Sequence, residues 1–173
     1  MKRILVPALL FYLALAKTFV FAETQNVAVY AKADVQTILE LKIEQTGQSE
    51  LRFGNIQPSA IQATEAGPVT VILHVTSNIG ESYQITQSIS SALENAEGNQ
   101  ISLDNLKYKT TSLNATGTAV AALTSVTKSP QTIFVSDAKS ASDTIKAEYT
   151  LTVPASQAPG DYSALLTYTV SSL

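Results

Sequence analysis

The chain has 173 residues, a length typical of a single domain, and 45% of them are apolar, which is enough for a packed core and argues against intrinsic disorder. It contains no cysteine, which excludes disulfides, thiolate metal ligands and cysteine nucleophiles together. The net charge of −3 at pH 7 argues against nucleic acid or an anionic membrane surface as a partner, because both select for basic patches.

Residues 1–22 have the pattern of a signal peptide. A basic start is followed by an apolar run over residues 4–16, which is short for a bilayer span, and small residues up to Ala22 fit a cleavage site. We therefore predict cleavage before Glu23 and a secreted mature protein with one domain over residues 23–173. An uncleaved membrane anchor is the alternative.

Apolar and polar residues alternate along most of the remaining chain. This pattern is typical of strands with one buried face. No stretch shows sustained helical periodicity, although residues 90–97 could hold one helical turn and residues 113–126 are predicted to be irregular. The pattern predicts an all-β fold, namely an antiparallel Greek-key (immunoglobulin-like) β-sandwich. The predicted strands cover residues 26–33, 39–44, 69–76, 83–89, 133–135, 144–153 and 162–171, with a further strand beginning at residue 106.

Residue types that carry catalysis are scarce. His74 is the only histidine and lies inside a predicted strand, so a catalytic triad would need a serine and a carboxylate to reach it through the fold alone. One histidine without any cysteine also disfavours a zinc site. We therefore expect no catalytic residue, no metal and no cofactor, with His74 acting as a hydrogen-bonded strand residue.

One short acidic segment deserves comparison with calcium sites. Glu94, Asn95, Glu97 and Asn99 surround Gly98 and supply oxygen atoms that calcium could use. Their spacing does not fit an EF-hand loop, which also requires a terminal bidentate glutamate. We interpret the segment as a solvated acidic loop.

Several tyrosines fall on the apolar faces of predicted strands, where we expect them to pack. Tyr30 and Tyr108 have no such assignment and are the first candidates for ligand-facing aromatics, which commonly stack against sugars. They keep an alternative function open, that of a monomeric secreted module that binds a ligand or a carbohydrate. Asn114 begins a glycosylation sequon, which has meaning only where that machinery exists.

The two ends of the predicted mature chain resemble a known family. The segment TQNVAVYAKADV over residues 24–35 resembles the N-terminal segment of cysteine-free adhesive fimbrial (pilus) subunits of Gram-negative bacteria. The segment APGDYSALLTYTV over residues 158–170 is similar to the strand that closes those subunits and many other bacterial surface sandwiches. Between the ends, the chain matches the family only in the spacing of its strands.

The resemblance implies an incomplete sandwich whose groove accepts the N-terminal strand of the next subunit. In this chain the donor strand would lie within residues 23–35, and the inserted side chains would be Val27, Val29, Ala31 and Ala33. The same alternation fits an intrinsic first strand of the chain's own sheet. The sequence leaves both interpretations open.

The resemblance also implies a location and partners. We expect a secreted, non-catalytic structural or adhesive subunit at the bacterial cell surface, in a fimbria, or in the periplasm. Its partners would be further copies of the chain or related subunits, a periplasmic chaperone, an outer-membrane usher and a host or surface receptor, with no nucleic acid.

The signal peptide gives a first testable prediction. N-terminal sequencing of the secreted protein should begin at Glu23, because the residues before it satisfy the small-residue requirement of the cleavage site. Recovery of intact protein from Met1 in the membrane fraction would instead support the anchor.

Overall fold

A computed structural model describes residues 30–44, 51–113, 117–137 and 141–173. The predicted signal peptide, Val27, Val29 and Asn114 lie outside these ranges. The chain divides into two compact units, Met1–Asp34 and Val35–Leu173. In the first unit, the described residues 30–34 are exposed and belong to no strand, so the strand predicted over residues 26–33 is not formed in its described part.

The second unit holds all the strands of the described chain. In chain order they are β1 (Leu39–Glu44), β2 (Thr64–Ser77), β3 (Tyr83–Ile89), β4 (Leu93–Glu94), β5 (Gln100–Ile101), β6 (Leu106–Ser112), β7 (Thr118–Ala119), β8 (Thr124–Ser125), β9 (Gln131–Val135), β10 (Asp143–Val153) and β11 (Leu166–Ser172). A three-residue 3-10 turn, Leu103–Asn105, precedes β6. No helix among the described residues is long and apolar enough to cross a membrane.

The strands form two main antiparallel sheets. Sheet A has the order β1-β2-β10-β6-β8, sheet B has the order β11-β3-β9-β7, and β4 pairs with β5 in a small ribbon. From β2 onward, each long strand is followed along the chain by a long strand of the other sheet. The predicted all-β antiparallel sandwich is therefore confirmed.

Alternation of side chains explains why these segments form a sandwich. Every second residue of β10 is buried along its whole length, and β3 shows the same pattern. Inward residues of both sheets meet in one apolar core, since the faces of a strand alternate with a period of two. The largest fully buried side chains of this core include Leu73, Tyr83, Ile85, Tyr108, Ile133, Phe134, Ile145 and Tyr149.

The sequence predictions differ from the structure at several further places. β11 begins at Leu166, and of the residues predicted to precede it only Ser163 makes an isolated bridge, to Glu94. The irregular segment contains the two-residue strands β7 and β8. The helical turn that residues 90–97 could hold is absent there, and a 3-10 turn occurs instead at Leu103–Asn105, where the Ser102 side chain accepts a hydrogen bond from the Asp104 amide.

Polar side chains also link the two sheets inside the core. The Tyr149 hydroxyl on β10 donates to Oε1 of Gln87 on β3, at 2.5 Å, and the Thr110 hydroxyl on β6 donates to the Ile133 carbonyl on β9, at 2.8 Å. Buried polar groups are tolerated when they are paired, and such pairs favour one alignment of the sheets. They therefore help to fix how sheet A lies on sheet B.

A third link involves a buried carboxyl group. The Tyr83 hydroxyl on β3 donates to Oδ2 of Asp143 on β10, at 2.7 Å. Burial raises the pKa of Asp143 above its usual value, the hydrogen bond from Tyr83 lowers it, and the nearby Asp137 raises it further. The net pKa shift is upward, so the folded state disfavours the charged form of Asp143.

This shift predicts a pH dependence of stability. The folded state binds the Asp143 proton more tightly than the unfolded chain does. The contribution of this proton to the free energy of unfolding is therefore largest below about pH 4 and is lost as the pH rises through the folded pKa of Asp143. The variant D143N keeps an acceptor for Tyr83 and should remove this pH dependence. The free energy of unfolding of both proteins is measured by urea denaturation. Between pH 4 and pH 7, wild type should lose stability relative to D143N.

Candidate functional site

The four edges of the sandwich differ in how they are protected. Strand edges pair readily with other chains unless they are short, charged or interrupted by proline. β7 and β8 have two residues each, and β1 carries Glu40, Lys42 and Glu44. β11 has seven residues, LTYTVSS, with neither a charge nor a proline. Among the described strands, β11 is therefore the edge that is open to pairing with another strand.

The register shows which backbone groups of β11 face outward. Two backbone hydrogen bonds just outside β11 continue its register with β3. The Ser90 amide donates to the Leu165 carbonyl, and the Leu173 amide donates to the Ser82 carbonyl. Hydrogen-bonded positions alternate in an antiparallel pair, so odd-numbered residues of β11 bond to β3. The amides and carbonyls of Leu166, Tyr168, Val170 and Ser172 point to the free side, where no described strand pairs with them.

The core is half open beside this edge. The inward side chains Leu166, Tyr168 and Val170 of β11 are only partly buried, whereas the inward residues of the neighbouring β3 are fully buried. β1, which contacts β11 across the sandwich, leaves its inward Ile43 49% exposed. Apolar surface therefore remains available on the same side as the outward-facing amides of β11.

Tyr168 holds β11 to the core at this open side. Its hydroxyl lies 2.6 Å from the hydroxyl of Tyr149, which in turn donates to Gln87. Burial raises the pKa of the Tyr168 hydroxyl above its usual value. Tyr168 therefore remains protonated at neutral pH, and it connects the edge strand to both sheets.

The second unit begins at a clamp made by Asn78. The Asn78 side chain accepts a hydrogen bond from the Ile38 amide at 2.6 Å and donates one to the Gln36 carbonyl at 2.8 Å. Its own amide donates to the Ile38 carbonyl at 3.1 Å. These three bonds extend the β1–β2 ladder by one step and fix the point at which the chain enters the domain.

Residues before this clamp are exposed where they are described. Tyr30 is 96% exposed and Val35 is 83% exposed, and residues 30–34 form no strand. Of the four predicted donor residues, Ala31 and Ala33 are exposed, whereas Val27 and Val29 lie outside the described residues. The assignment of Val27, Val29, Ala31 and Ala33 as an inserted set stays a prediction.

The two predicted ligand-facing aromatics lie in different environments. Tyr30 is exposed, whereas Tyr108 is 1% exposed and packs in the core, with its ring centroid 6.1 Å from that of Tyr149. The assignment of Tyr108 as ligand-facing is therefore wrong. Tyr108 lies on the inward face of β6, and burial raises the pKa of its hydroxyl. Lys107 and Lys109 flank Tyr108 in the sequence, and this alternation is the signal that indicates the inward face of β6.

The fold does bring a hydroxyl and a carboxylate to His74. Nδ1 of His74 lies 3.1 Å from Oγ1 of Thr144, and Nε2 lies 2.6 Å from Oε2 of Glu44. Thr144 is directly opposite His74 on β10, and Glu44 is diagonal to it on β1. The three side chains stand on the outer face of sheet A, so they form a cross-strand ladder of the ordinary kind. His74 is thus a hydrogen-bonded strand residue, as expected.

The acidic segment forms a turn built on Asn95. Oδ1 of Asn95 accepts hydrogen bonds from the amides of Glu97 and Asn99, and its Nδ2 donates to the Pro159 carbonyl. Glu94 accepts a hydrogen bond from the Gln100 side chain. The Asn95 oxygen is engaged by backbone amides, and no group of three or more acidic or histidine side chains in the described residues could hold a metal.

No model of a known protein family matches the chain, and no curated protein matches it. Among solved structures, the chain is similar to a family 123 glycoside hydrolase from Clostridium perfringens, with a TM-score of 0.42 and 17% identity. The match covers 78% of this chain and 25% of that chain, so this chain spans about a quarter of the hydrolase. A likeness at this level carries no conclusion about activity.

The His74 ladder gives a prediction that separates structure from chemistry. The variant H74V should lower the free energy of unfolding by less than about 1 kcal/mol, because exposed cross-strand pairs contribute little. Wild type, H74V and T144V should all hydrolyse p-nitrophenyl acetate at the same rate. Faster hydrolysis by wild type than by both folded variants would show that the cluster is catalytic.

Proposed function

We propose that this protein is a non-catalytic structural or adhesive subunit that assembles by β-strand addition. The strand is added at the free edge of β11, and it is supplied by the N-terminal segment of another copy or of a related subunit. The observation that carries the proposal is the unprotected edge of β11 beside a half-open core. Backbone pairing supplies affinity in this mode of recognition, and alternate side chains fill the apolar surface.

The complementarity of the two elements supports this proposal. Val27, Val29, Ala31 and Ala33 recur at every second residue, as do Leu166, Tyr168 and Val170. An added strand next to β11 would therefore place one set of small apolar side chains toward the exposed part of Ile43. Lys32 would face away from the core, together with Ala28 and Tyr30.

The position of the domain entry favours donation to a second copy. Asn78 holds residues 36–38, and Ser82, four residues later, holds Leu173 at the end of β11. The N-terminal segment ends at this entry point, near the end of β11. If it paired with β11 of its own chain, the two strands would therefore run parallel. A segment from another copy can lie antiparallel, as every strand pair of sheets A and B does, and antiparallel pairing is slightly more stable.

The proposed location follows from the proposed assembly. A subunit of this kind acts outside the cytoplasm, in the periplasm or at the cell surface as part of a fimbria. A periplasmic chaperone that covers β11 and an outer-membrane usher are the proposed assembly partners. A host or surface receptor is the proposed target of the assembled fibre.

Two matched proline variants test which edge is used. In V170P the lost amide points to the free side of β11, and in L41P it points to the free side of β1, because Ile38 pairs with Asn78 in the β1–β2 register. Light scattering of the mature protein over a range of concentrations should show oligomers for wild type and L41P. V170P should remain monomeric with an unchanged circular dichroism spectrum.

Hydrogen exchange tests the same edge without a proline. A peptide that spans residues 24–35 should slow exchange at the outward amides of Leu166, Tyr168 and Val170. It should leave Thr167 and Thr169 unchanged, because β3 already protects their amides. A peptide with Val29→Asp is the control and should have no effect, since burial of an unpaired charge is costly. A wild type that stays monomeric and unprotected by the peptide would overturn the proposal.

A further inference from the structure

The outer face of sheet B carries no charge. β3, β9 and β11 contain no Asp, Glu, Lys, Arg or His, in a chain in which 14% of residues are charged. The charges nearest in sequence, Glu81, Lys128 and Asp137, lie in the loops at the ends of these strands. The outward polar side chains of β3, β9 and β11 are Gln84, Thr86, Ser88, Thr132, Thr167, Thr169 and Ser171.

The outer face of sheet A is different in the same molecule. Glu40, Lys42 and Glu44 lie on β1, and Lys109 and Lys146 both approach Glu148, at 3.6 and 3.2 Å. A solvent-exposed face usually carries such charges because they favour solubility. Their absence from one whole sheet therefore distinguishes the outer face of sheet B, which we call the hydroxyl face.

The hydroxyls of this face lie in rows across the strands. Thr169 is opposite Thr86, and Thr86 is opposite Thr132, while Thr167 is opposite Ser88. Neighbouring strands lie about 4.8 Å apart, and outward residues repeat about every 6.7 Å along a strand. The face therefore carries an array of hydroxyl groups in two rows across β11 and β3, and Thr132 of β9 continues one of these rows.

Part of this array is fixed and part of it is free. Thr132 donates to Oε1 of Gln84 at 3.0 Å, and Nε2 of Gln84 donates to Ser171 at 3.5 Å. The hydroxyls of Thr86, Ser88, Thr167 and Thr169 bond to no side chain or backbone group in the described parts of the chain. Each can both donate and accept a hydrogen bond, and threonine has few rotamers to lose on binding.

We infer that the hydroxyl face binds a neutral polysaccharide. A chain of uncharged sugars offers a repeating set of hydroxyl groups that both donate and accept, which matches the array. An anionic glycan would find no cation on the strands of this face. Contact with a neutral ligand buries no charge of either partner, so it avoids the main cost of desolvation. This surface is separate from the outward amides of β11, and the inference does not depend on strand addition.

Binding to polysaccharides of known charge tests the inference. The mature protein is incubated with cellulose, chitin, mannan, starch and β-1,3-glucan, and with alginate and heparin as anionic controls. Wild type should bind at least one neutral polysaccharide, and binding should change less than twofold between 50 mM and 500 mM salt because no ion pair is involved. The double variant T86V/T169V, which removes two free hydroxyls and keeps the side-chain shape, should bind at least fivefold less.

Matched variants separate this surface from the others. T150V removes a hydroxyl from the outer face of sheet A and should bind like wild type. V170P should also bind like wild type even where it prevents oligomers, so the two proposals can fail independently. The inference is overturned if wild type binds none of the neutral polysaccharides, binds only the anionic ones, or binds as well after T86V/T169V. It is also overturned if T86V/T169V lowers polysaccharide binding only because it dissociates a dimer. In that case the hydroxyl face contacts a second copy of the chain and not the polysaccharide.

Discussion

The inward face of β10 is the feature on which the rest of the fold depends. The strand lies at the centre of sheet A, between β2 and β6, and every second residue along its length is buried. Two of these residues, Asp143 and Tyr149, hydrogen-bond to β3 of the opposite sheet. The chain has no disulfide, so this packing and these two links take the role that covalent bridges have in many exported domains.

The edges follow from this arrangement. With β10 and β3 at the centre, the strands at the start and end of the domain are left at the outside of their sheets on the same side. The first of them is protected by alternating charges and the last is not. Sheet B also has one long strand fewer than sheet A, so its outermost core residues are less covered. The topology therefore places β1 and β11 at the edges, and the amino-acid composition of each strand decides whether its edge is protected.

The sequence predicted the sandwich because period-two alternation is a local signal. It is clearest in β10, whose alternate residues from Ile145 to Val153 are apolar or aromatic. Burial of Tyr108 was missed, although Lys107 and Lys109 on either side of it indicate that it lies on the inward face of β6. By contrast, the Glu44–His74–Thr144 ladder was beyond the sequence, since its two hydrogen bonds join residues 70 and 30 positions apart, which meet only through register. The lack of charge in β11 was visible in the sequence, but its place at an edge was not.

The clamp at Asn78 holds the start of the domain near the end of its last strand. Ile38 is bonded to Asn78 and Leu173 is bonded to Ser82, four residues further on, so the two residues that hold the ends of the domain lie at most about 14 Å apart. A short linker could join the two ends, and new ends could be opened in the exposed turn after β10, near Ser156. Such a circular permutant would keep every strand pair and would make β11 the first long strand of the chain. A folded permutant would show that the sandwich depends on which strands are neighbours in space and not on which strand is made first.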